Sequence, residues 1–297
     1  MSKSQTTYGG QAVLEGVMIR GERNVTVSVR TPSGQIRTRK KPIHNAFTGQ
    51  FRRMPLIRGV LALSETLYLG MDSLAYSASV AAEEESEQEL SKWSIGSMIT
   101  VSVAIAIALF FLLPVIASKP FEGVGESHLV SNVAEGLIRL TVFFIYIVSI
   151  GFMSDIRRVY MYHGAEHMTV HAREMGDPLI PSAIRKYPTA HPRCGTAFLL
   201  TVMLVAILIF SLIPRDPLWW LITSRVIFLP VIASVSYEII RASGQYTNNI
   251  AVRLITSPSL WLQKLTTKQP DDSQIEVAIS AMTGAIEADA ENVALKP

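Results

Sequence analysis

Histidine is the residue whose placement in this sequence points most directly to chemistry. Four of the six histidines lie between residues 163 and 191, in a chain in which only 17% of the residues are charged. On a helix, His163 and His167 would lie on one face about 6 Å apart, close enough to share one metal ion. With Glu166 they form the pattern H-x-x-E-H. In zinc hydrolases with this pattern, the carboxylate acts as the general base beside two histidine ligands.

A third ligand has several candidates next to apolar segments. His191 and Cys194 are three residues apart, and an imidazole and a thiolate at that spacing can reach one ion. Cys194 is equally suited to be a small buried apolar residue. Glu238 follows the last apolar segment, where a carboxylate needs a metal or a cation such as Arg241. The sequence predicts a divalent metal ion, best matched by zinc, bound by the two motif histidines and completed by His191, Cys194 or Glu238.

A simpler interpretation of these residues needs no metal. Histidines four residues apart also line the polar face of amphipathic helices at a membrane surface. His171 is about 12 Å from His163 along a continuous helix, so it would need a second ion or is a surface residue. Glu15 is the only acid among the first twenty residues and faces either the site or solvent. The clustering of His191 and Cys194 near the motif favours the metal.

The elements that must position these residues are membrane helices. Apolar residues make up 49% of the chain, a composition typical of membrane proteins. Four segments with few charges are long enough to cross about 30 Å of hydrocarbon: 95–117, 133–153, 195–213 and 218–237. Glu135 and Arg139 interrupt the second segment near its outer end, where charged groups can reach the lipid headgroups. We expect an α-helical integral membrane protein with about four transmembrane helices and a small β-containing head.

Basic residues predict the orientation of these helices. Lys and Arg accumulate before the first segment, between the second and third, and after the fourth, whereas the outer loops contain only Lys119 and Arg215. Residues 1–20 show no signal-peptide pattern, and the one cysteine suits a reducing compartment. We expect both termini and the His-rich loop 154–194 to be cytoplasmic.

Outside the membrane segments, the pattern predicts strands and amphipathic helices. Residues 1–55 are expected to form a basic head in which 25–29 and 35–40 pair as a β-hairpin and 11–19 adds a third strand. Residues 56–90 are predicted to form an interfacial helix followed by an acidic linker at 83–85. Residues 241–288 are expected to form cytoplasmic interfacial helices, with a short helix at 274–282 that Gly284 ends, and 289–297 a disordered tail.

The basic head also predicts partners. Residues 20–58 contain ten Lys and Arg and one acid, Glu22. Beside membrane helices, this charge favours the lipid bilayer with its anionic headgroups, and it is compatible with a membrane-protein partner. Nucleic acid is not expected, because the segment lacks a recognition motif.

Several classes of function remain open at this point. A metal-dependent hydrolase would use Glu166 on a peptide or lipid-linked substrate, whereas a scaffold or assembly factor would use the same metal without turnover. A closed four-ligand site favours the scaffold and an open site favours catalysis. A membrane di-iron oxygenase needs about eight histidines, more than this chain contains. A transporter would explain Arg225 in the fourth segment, but the sequence shows no acidic partner for it.

The motifs around these residues resemble one known family, the YqhQ-like family of bacterial membrane proteins. The resemblance extends from about residue 8 to 281 and implies a metal-dependent enzyme in the bacterial plasma (inner) membrane. The matching stretches are GGQAVLEGVM at 9–18, RG at 58–59, HGAEH at 163–167, HPRCGT at 191–196, YE at 237–238, QPDD at 269–272 and QIEVA at 274–278.

Overall fold

An N-terminal sheet and a series of helices make up the protein. The computed structural model describes residues 8–47, 49–82, 92–122, 128–191, 194–245 and 250–294. The strands are β1 (Gly9–Val13), β2 (Gly16–Arg20), β3 (Asn24–Arg30) and β4 (Ile36–Pro42). The helices are α1 (Ile57–Ala81), α2 (Lys92–Ile107), α3 (Leu113–Ala117), α4 (Leu129–Ile150), α5 (Ser154–Met175), α6 (Pro181–Ile184), α7 (Gly195–Ser211), α8 (Leu218–Ile227), α9 (Leu229–Gln245), α10 (Ile250–Thr266) and α11 (Asp272–Ala294). The expected mostly helical architecture with an N-terminal β region is confirmed.

The sheet is an antiparallel meander in the order β1-β2-β3-β4. The predicted hairpin is confirmed, because residues 25–29 and 35–40 lie in the paired strands β3 and β4. The segment predicted as a third strand, 11–19, is divided between β1 and β2. Glu15 lies in the turn between them with a φ of 50°. A left-handed backbone cannot continue a strand, so this residue divides the segment in two.

The sheet is covered on both faces, and together with α1, α5 and α11 it forms a unit that we call the head. Alternate residues of β3, including Val25 and Val27, face α1 and pack in one apolar cluster with Leu69. On the other face, a second cluster joins β2 to α5 and α11. There Gly284 of α11 lies so close to the sheet that a Cβ atom would be 2.8 Å from Cγ2 of Thr26. The predicted His-rich loop 154–194 therefore begins with a long helix, α5, inside the head.

The C-terminal helix differs from its prediction. We expected a short interfacial helix ended by Gly284, but α11 continues through this glycine to Ala294 and buries its apolar face in the head. The expected disordered tail was wrong for 289–294, which are helical, and 295–297 lie outside the described residues. Asp289 helps to hold this part of α11 against the sheet, because its carboxylate accepts the backbone N–H of Glu22 at 2.9 Å. The N-terminal sheet and the C-terminal helix α11 are thus joined.

Helix α1 has one packed and one exposed face, as the amphipathic pattern predicts. Gly59 lies against α9, where a Cβ atom would be 2.6 Å from Cα of Ser234. On the opposite face, Leu67 and Met71 are exposed. The predicted acidic linker at 83–85 lies outside the residues that the structure describes.

Within the part of the chain that the structure describes, two helices are long and apolar enough to cross a membrane. They span Thr100–Phe121 and Leu129–Ile150, each 22 residues long. Helix α7 is shorter, and α8 and α9 form a pair bent by 41°. The segment 218–237 is therefore not the single straight helix that we expected. Pro230 lies just after the bend, and because proline has no N–H and its ring crowds the preceding turn, it interrupts the helical hydrogen bonds there.

Charged residues of the apolar helices form a buried ion network. We expected Glu135 to reach the headgroups, but only 2% of its side chain is exposed. Its carboxylate accepts hydrogen bonds from Arg139 at 2.7 Å, Arg215 at 2.8 Å and Arg225 at 2.9 Å. Glu135 is thus the acidic partner of Arg225 that the sequence did not reveal. The network joins α4 to α8 and to the short connection between α7 and α8.

Candidate metal centre

His163, His167 and His171 lie on one face of α5 at intervals of four residues, the spacing of successive helical turns. The helix is held close to the connection between α10 and α11. Lys268 donates its backbone N–H to the carbonyl of Tyr160 at 2.9 Å. A Cβ atom on Gly164 would lie 2.2 Å from the carbonyl oxygen of Lys268. The glycine of the HGAEH motif is therefore needed for this close packing, and the packing fixes the histidine face.

The structure brings His163, His167 and Cys194 together. Their possible ligand atoms all lie within 4.8 Å of one another, and Nε2 of His163 is 3.2 Å from Sγ of Cys194. Ligand atoms around a tetrahedral zinc ion are roughly 3.5 Å apart, from bond lengths of about 2.0–2.3 Å. Cys194 precedes α7 as its N-cap, and its Sγ accepts the backbone N–H of Thr196 at 3.4 Å. Two nitrogen atoms and one sulfur atom thus form a group of the right size for zinc.

Backbone carbonyls select the tautomers of both imidazoles. Nδ1 of His163 is 2.9 Å from the carbonyl oxygen of Thr266, and Nδ1 of His167 is 2.6 Å from that of Thr189. Because a carbonyl oxygen can only accept, each Nδ1 carries a proton, and in the neutral ring Nε2 keeps the lone pair that can bind a metal. Metal-bound histidines show the same arrangement. Burial also lowers the pKa of His167, which keeps its ring in the neutral, metal-binding form.

Glu166 is buried beside this group. Its Oε2 is 3.3 Å from Nε2 of His167. Strand β1 covers it from the other side, where a Cβ atom on Gly10 would lie 2.9 Å from Oε1. Burial raises the pKa of this carboxyl, and electrostatic interaction with the imidazoles of His163 and His191 and the backbone N–H of Gly10 oppose that rise. A carboxylate made more basic by burial and placed next to potential ligands is suited to accept a proton.

His191 belongs to a second group of potential ligands. This group contains His171, Glu174 and His191, and the possible ligand atoms of the three residues all lie within 4.8 Å of one another. Nε2 of His171 donates to the carbonyl of Ala190 at 3.0 Å, and burial lowers the pKa of this imidazole. The structure therefore separates the predicted ligands His191 and Cys194 into two adjacent groups.

Glu238 is placed elsewhere. Its carboxylate forms a two-point ion pair with Arg58, in which Nε donates to Oε1 at 2.6 Å. Among the described residues, neither ligand group contains Glu238. The cation that pairs with Glu238 is therefore Arg58 of α1, 180 residues away in sequence. The sequence had suggested Arg241 as the pairing cation. The close approach of α1 and α9 at Gly59 brings the pair together.

Glu15 does not face the histidines either. It accepts hydrogen bonds from Arg158 at 2.6 Å and from the hydroxyl of Tyr162 at 3.2 Å. Burial and this carboxylate both raise the pKa of Tyr162. Glu15 therefore attaches the turn between β1 and β2 to helix α5.

Sequence reasoning missed several residues that shape the two groups. Glu174 is three residues after His171, and that helical spacing was a usable signal. Thr189 and Thr266 contribute only backbone carbonyls, which leave no signature in side-chain type. Gln263 is fully buried, accepts the backbone N–H of His191 at 2.7 Å and donates to its carbonyl at 2.9 Å. Only the fold brings it next to His191.

Comparison with known proteins agrees with the resemblance of the motifs. The model of the family described as "Protein of unknown function (DUF1385)" matches residues 54–288. The chain is 32% identical over 297 residues to "Uncharacterized protein YqhQ" of Bacillus subtilis (strain 168), covering 95% of this chain and 93% of that protein. No solved structure matches the chain. The chain therefore belongs to the DUF1385 family and is a relative of YqhQ, as its motifs indicated.

Proposed function

We propose that the protein is a metal-binding membrane protein whose metal supports hydrolysis at the cytoplasmic surface of the bacterial plasma (inner) membrane. His163, His167 and Cys194 would hold the ion, with zinc as the best match to two imidazoles and a thiolate. The observation that carries this proposal is the pair of Nδ1–H···O=C hydrogen bonds from His163 and His167. These bonds leave both Nε2 atoms available next to the sulfur of Cys194.

The residues of the site have separate roles in the proposed reaction. When bound, the metal supplies a Lewis acid that polarises a substrate carbonyl or phosphoryl group and acidifies water. Glu166 takes the proton from the attacking water and later returns it to the leaving group, which burial favours by raising its pKa. Three protein ligands would leave one position of a tetrahedral ion open, as catalysis requires. A peptide or lipid-linked substrate in the inner leaflet would reach this surface.

Packing of the head supports four membrane spans with both termini on one side. The sheet precedes α2, α5 lies between α4 and α7, and α11 ends the described chain, yet all three are in contact. We infer that they lie on the same side of the membrane, and in that arrangement an even number of spans would separate each from the next. Helices α2–α3 and α4 supply two spans before α5. Helix α7 and the bent α8–α9 pair would supply two more before α11.

The segment just before α1 supports contact with lipid. Phe51, Met54 and Leu56 are 64%, 48% and 55% exposed, and the packing of Gly59 on α9 places them beside the apolar helices. Many basic residues of the head, by contrast, already pair with acids, as Arg39 and Lys41 do with Asp72. We therefore propose that apolar anchoring accompanies the attraction of the head to anionic headgroups.

A structural metal in a scaffold or assembly factor is the second candidate. Cys194 precedes the first residue of α7, and both histidines belong to the head. An ion held by these three residues would fix the head to the apolar helices without any turnover. This role requires a closed site and does not require Glu166 as a base.

Glu166→Gln separates the two candidates. The amide keeps the shape of the carboxylate but cannot act as a base, so in a hydrolase we expect bound metal to persist while the variant fails to complement a deletion strain. Glu276→Gln, which changes an exposed carboxylate with 54% of its side chain accessible, is the matched control. Complementation by Glu166→Gln with full metal content would favour the scaffold, and loss of metal would show that Glu166 is a ligand or positions one.

Orientation is tested by labelling intact cells. A reporter fused after Pro297 should be active in the cytoplasm, and a cysteine replacing Glu126, which is outside the described residues, should react with a membrane-impermeant maleimide. A cysteine replacing Met175, which is 71% exposed on the head, should react only after permeabilisation. Labelling of Met175→Cys from outside would contradict the proposed orientation and the cytoplasmic site.

A further inference from the structure

The second ligand group, formed by His171, Glu174 and His191, has the features of a metal site of its own. Nε2 of His191 is 3.4 Å from Oε2 of Glu174, and the rings of His171 and His191 are 4.5 Å apart between centroids. His171 and Glu174 are three residues apart on α5 and so share one face of the helix. Two imidazoles and a carboxylate are a common protein ligand set for zinc and related divalent ions.

Backbone hydrogen bonds hold this group in place. His171 donates from Nε2 to the carbonyl of Ala190, so Nδ1 is the unprotonated nitrogen of the neutral ring. Gln263, which is fully buried, binds both the N–H and the carbonyl of His191. The short segment 189–191 thus supplies the carbonyls that orient His167 and His171, as well as one potential ligand. A metal site needs this kind of support around its ligands.

The two ligand groups are adjacent. The rings of His167 and His191, one from each group, are 5.8 Å apart between centroids. The carboxylate of Glu166 lies in contact with His167 and interacts electrostatically with His163 of the first group and with His191 and Glu174 of the second. A buried carboxylate in this position can interact with two metal ions at once.

The geometry points to a binuclear centre, in which His171, Glu174 and His191 bind a second divalent cation next to the ion of the His163, His167 and Cys194 group. This inference rests on the proposed metal-binding function and extends it. The thiolate makes the first group the softer one, so zinc should bind there first, whereas the second group of nitrogen and oxygen ligands should also accept manganese. Pairs of adjacent divalent ions are typical of hydrolases that act on phosphate esters and peptides. The proposed substrate class is therefore a phosphate ester or peptide at the inner leaflet.

Metal titration of the purified full-length protein tests this inference. After chelator treatment, the wild type should bind two equivalents of Co²⁺, and only the first should produce the near-ultraviolet charge-transfer absorption of a cobalt–thiolate bond. His171→Ala should bind one equivalent and keep that absorption. The control is His128→Ala, which changes a histidine with 46% of its side chain exposed, and it should bind two.

A second variant tests whether a loss of metal binding results from misfolding. Glu174→Gln changes a side chain that is 32% exposed, and it should also reduce binding from two equivalents to one, with a circular dichroism spectrum like that of the wild type. One equivalent in the wild type, unchanged in both variants, would overturn the binuclear centre and leave the proposed function intact. The absence of any bound cobalt in the wild type would overturn both.

Discussion

The His163→Ala/His167→Ala variant should lose the metal held with Cys194 and, with it, much of the stability of the head. Removing two of three ligands leaves only the thiolate, which cannot retain the ion against a chelator. Metal present at a thousand times its dissociation constant stabilises a protein by about 4 kcal/mol. For a domain of this size, that corresponds to a fall in Tm of roughly 10 °C. Metal analysis and thermal unfolding in detergent measure the two effects.

Chelator and a control variant make this result specific. Wild-type protein should lose at least as much thermal stability when a strong chelator is added, whereas the double variant, which keeps only the second ligand group, should lose less. His128→Ala should behave as the wild type, because this histidine lies outside both ligand groups. A double variant that purifies with as much metal as the wild type and unfolds at the same temperature would exclude the assigned site.

Glu135→Ala should destabilise the protein by about 3–5 kcal/mol, the usual cost of removing one partner from a buried ion pair. The reason is the excess of positive charge, since the single carboxylate of Glu135 accepts hydrogen bonds from Arg139, Arg215 and Arg225. Without it, the guanidinium groups remain in an apolar environment with little compensation. We expect a lower Tm in detergent and reduced abundance in the membrane.

Glu122→Ala is the matched control for this prediction. Glu122 also pairs with Arg215, at 3.1 Å, but 49% of its side chain is exposed. Pairs with an accessible partner contribute about 0–1 kcal/mol, so this variant should resemble the wild type. Equal losses of stability in the two variants would show that burial does not determine how much each ion pair contributes to stability. No effect of Glu135→Ala would mean that water or headgroups reach the arginines.

Residues close together in sequence were the ones whose roles could be predicted. The i, i+4 spacing of His163 and His167 follows from helical geometry alone, and the structure places both on one face of α5. The apolar runs at 95–117 and 133–153 likewise indicated two membrane-length helices, which the structure has at Thr100–Phe121 and Leu129–Ile150, because the length needed to cross hydrocarbon is a local property. The hairpin of β3 and β4 was predicted from alternation and a turn.

Distant pairs were the ones that sequence reasoning assigned incorrectly or missed. Glu238 was a candidate metal ligand, with Arg241 as its alternative partner, yet in the structure it binds Arg58. Arg225 was considered without an acid, although Glu135 lies beside it in the fold. In both cases the partner comes from a helix far away in sequence, which local patterns do not reveal.

The motif histidines, the apolar segments and the hairpin could be predicted from the sequence, because residue types and periodicity act over a few neighbouring residues. The grouping of Cys194 with His163 and His167, and of His191 with His171 and Glu174, became visible only in the fold. That division depends on where α7 begins relative to α5 and on the backbone carbonyls of residues 189, 190 and 266. Packing between elements far apart in the chain sets these positions, and local pattern does not encode it.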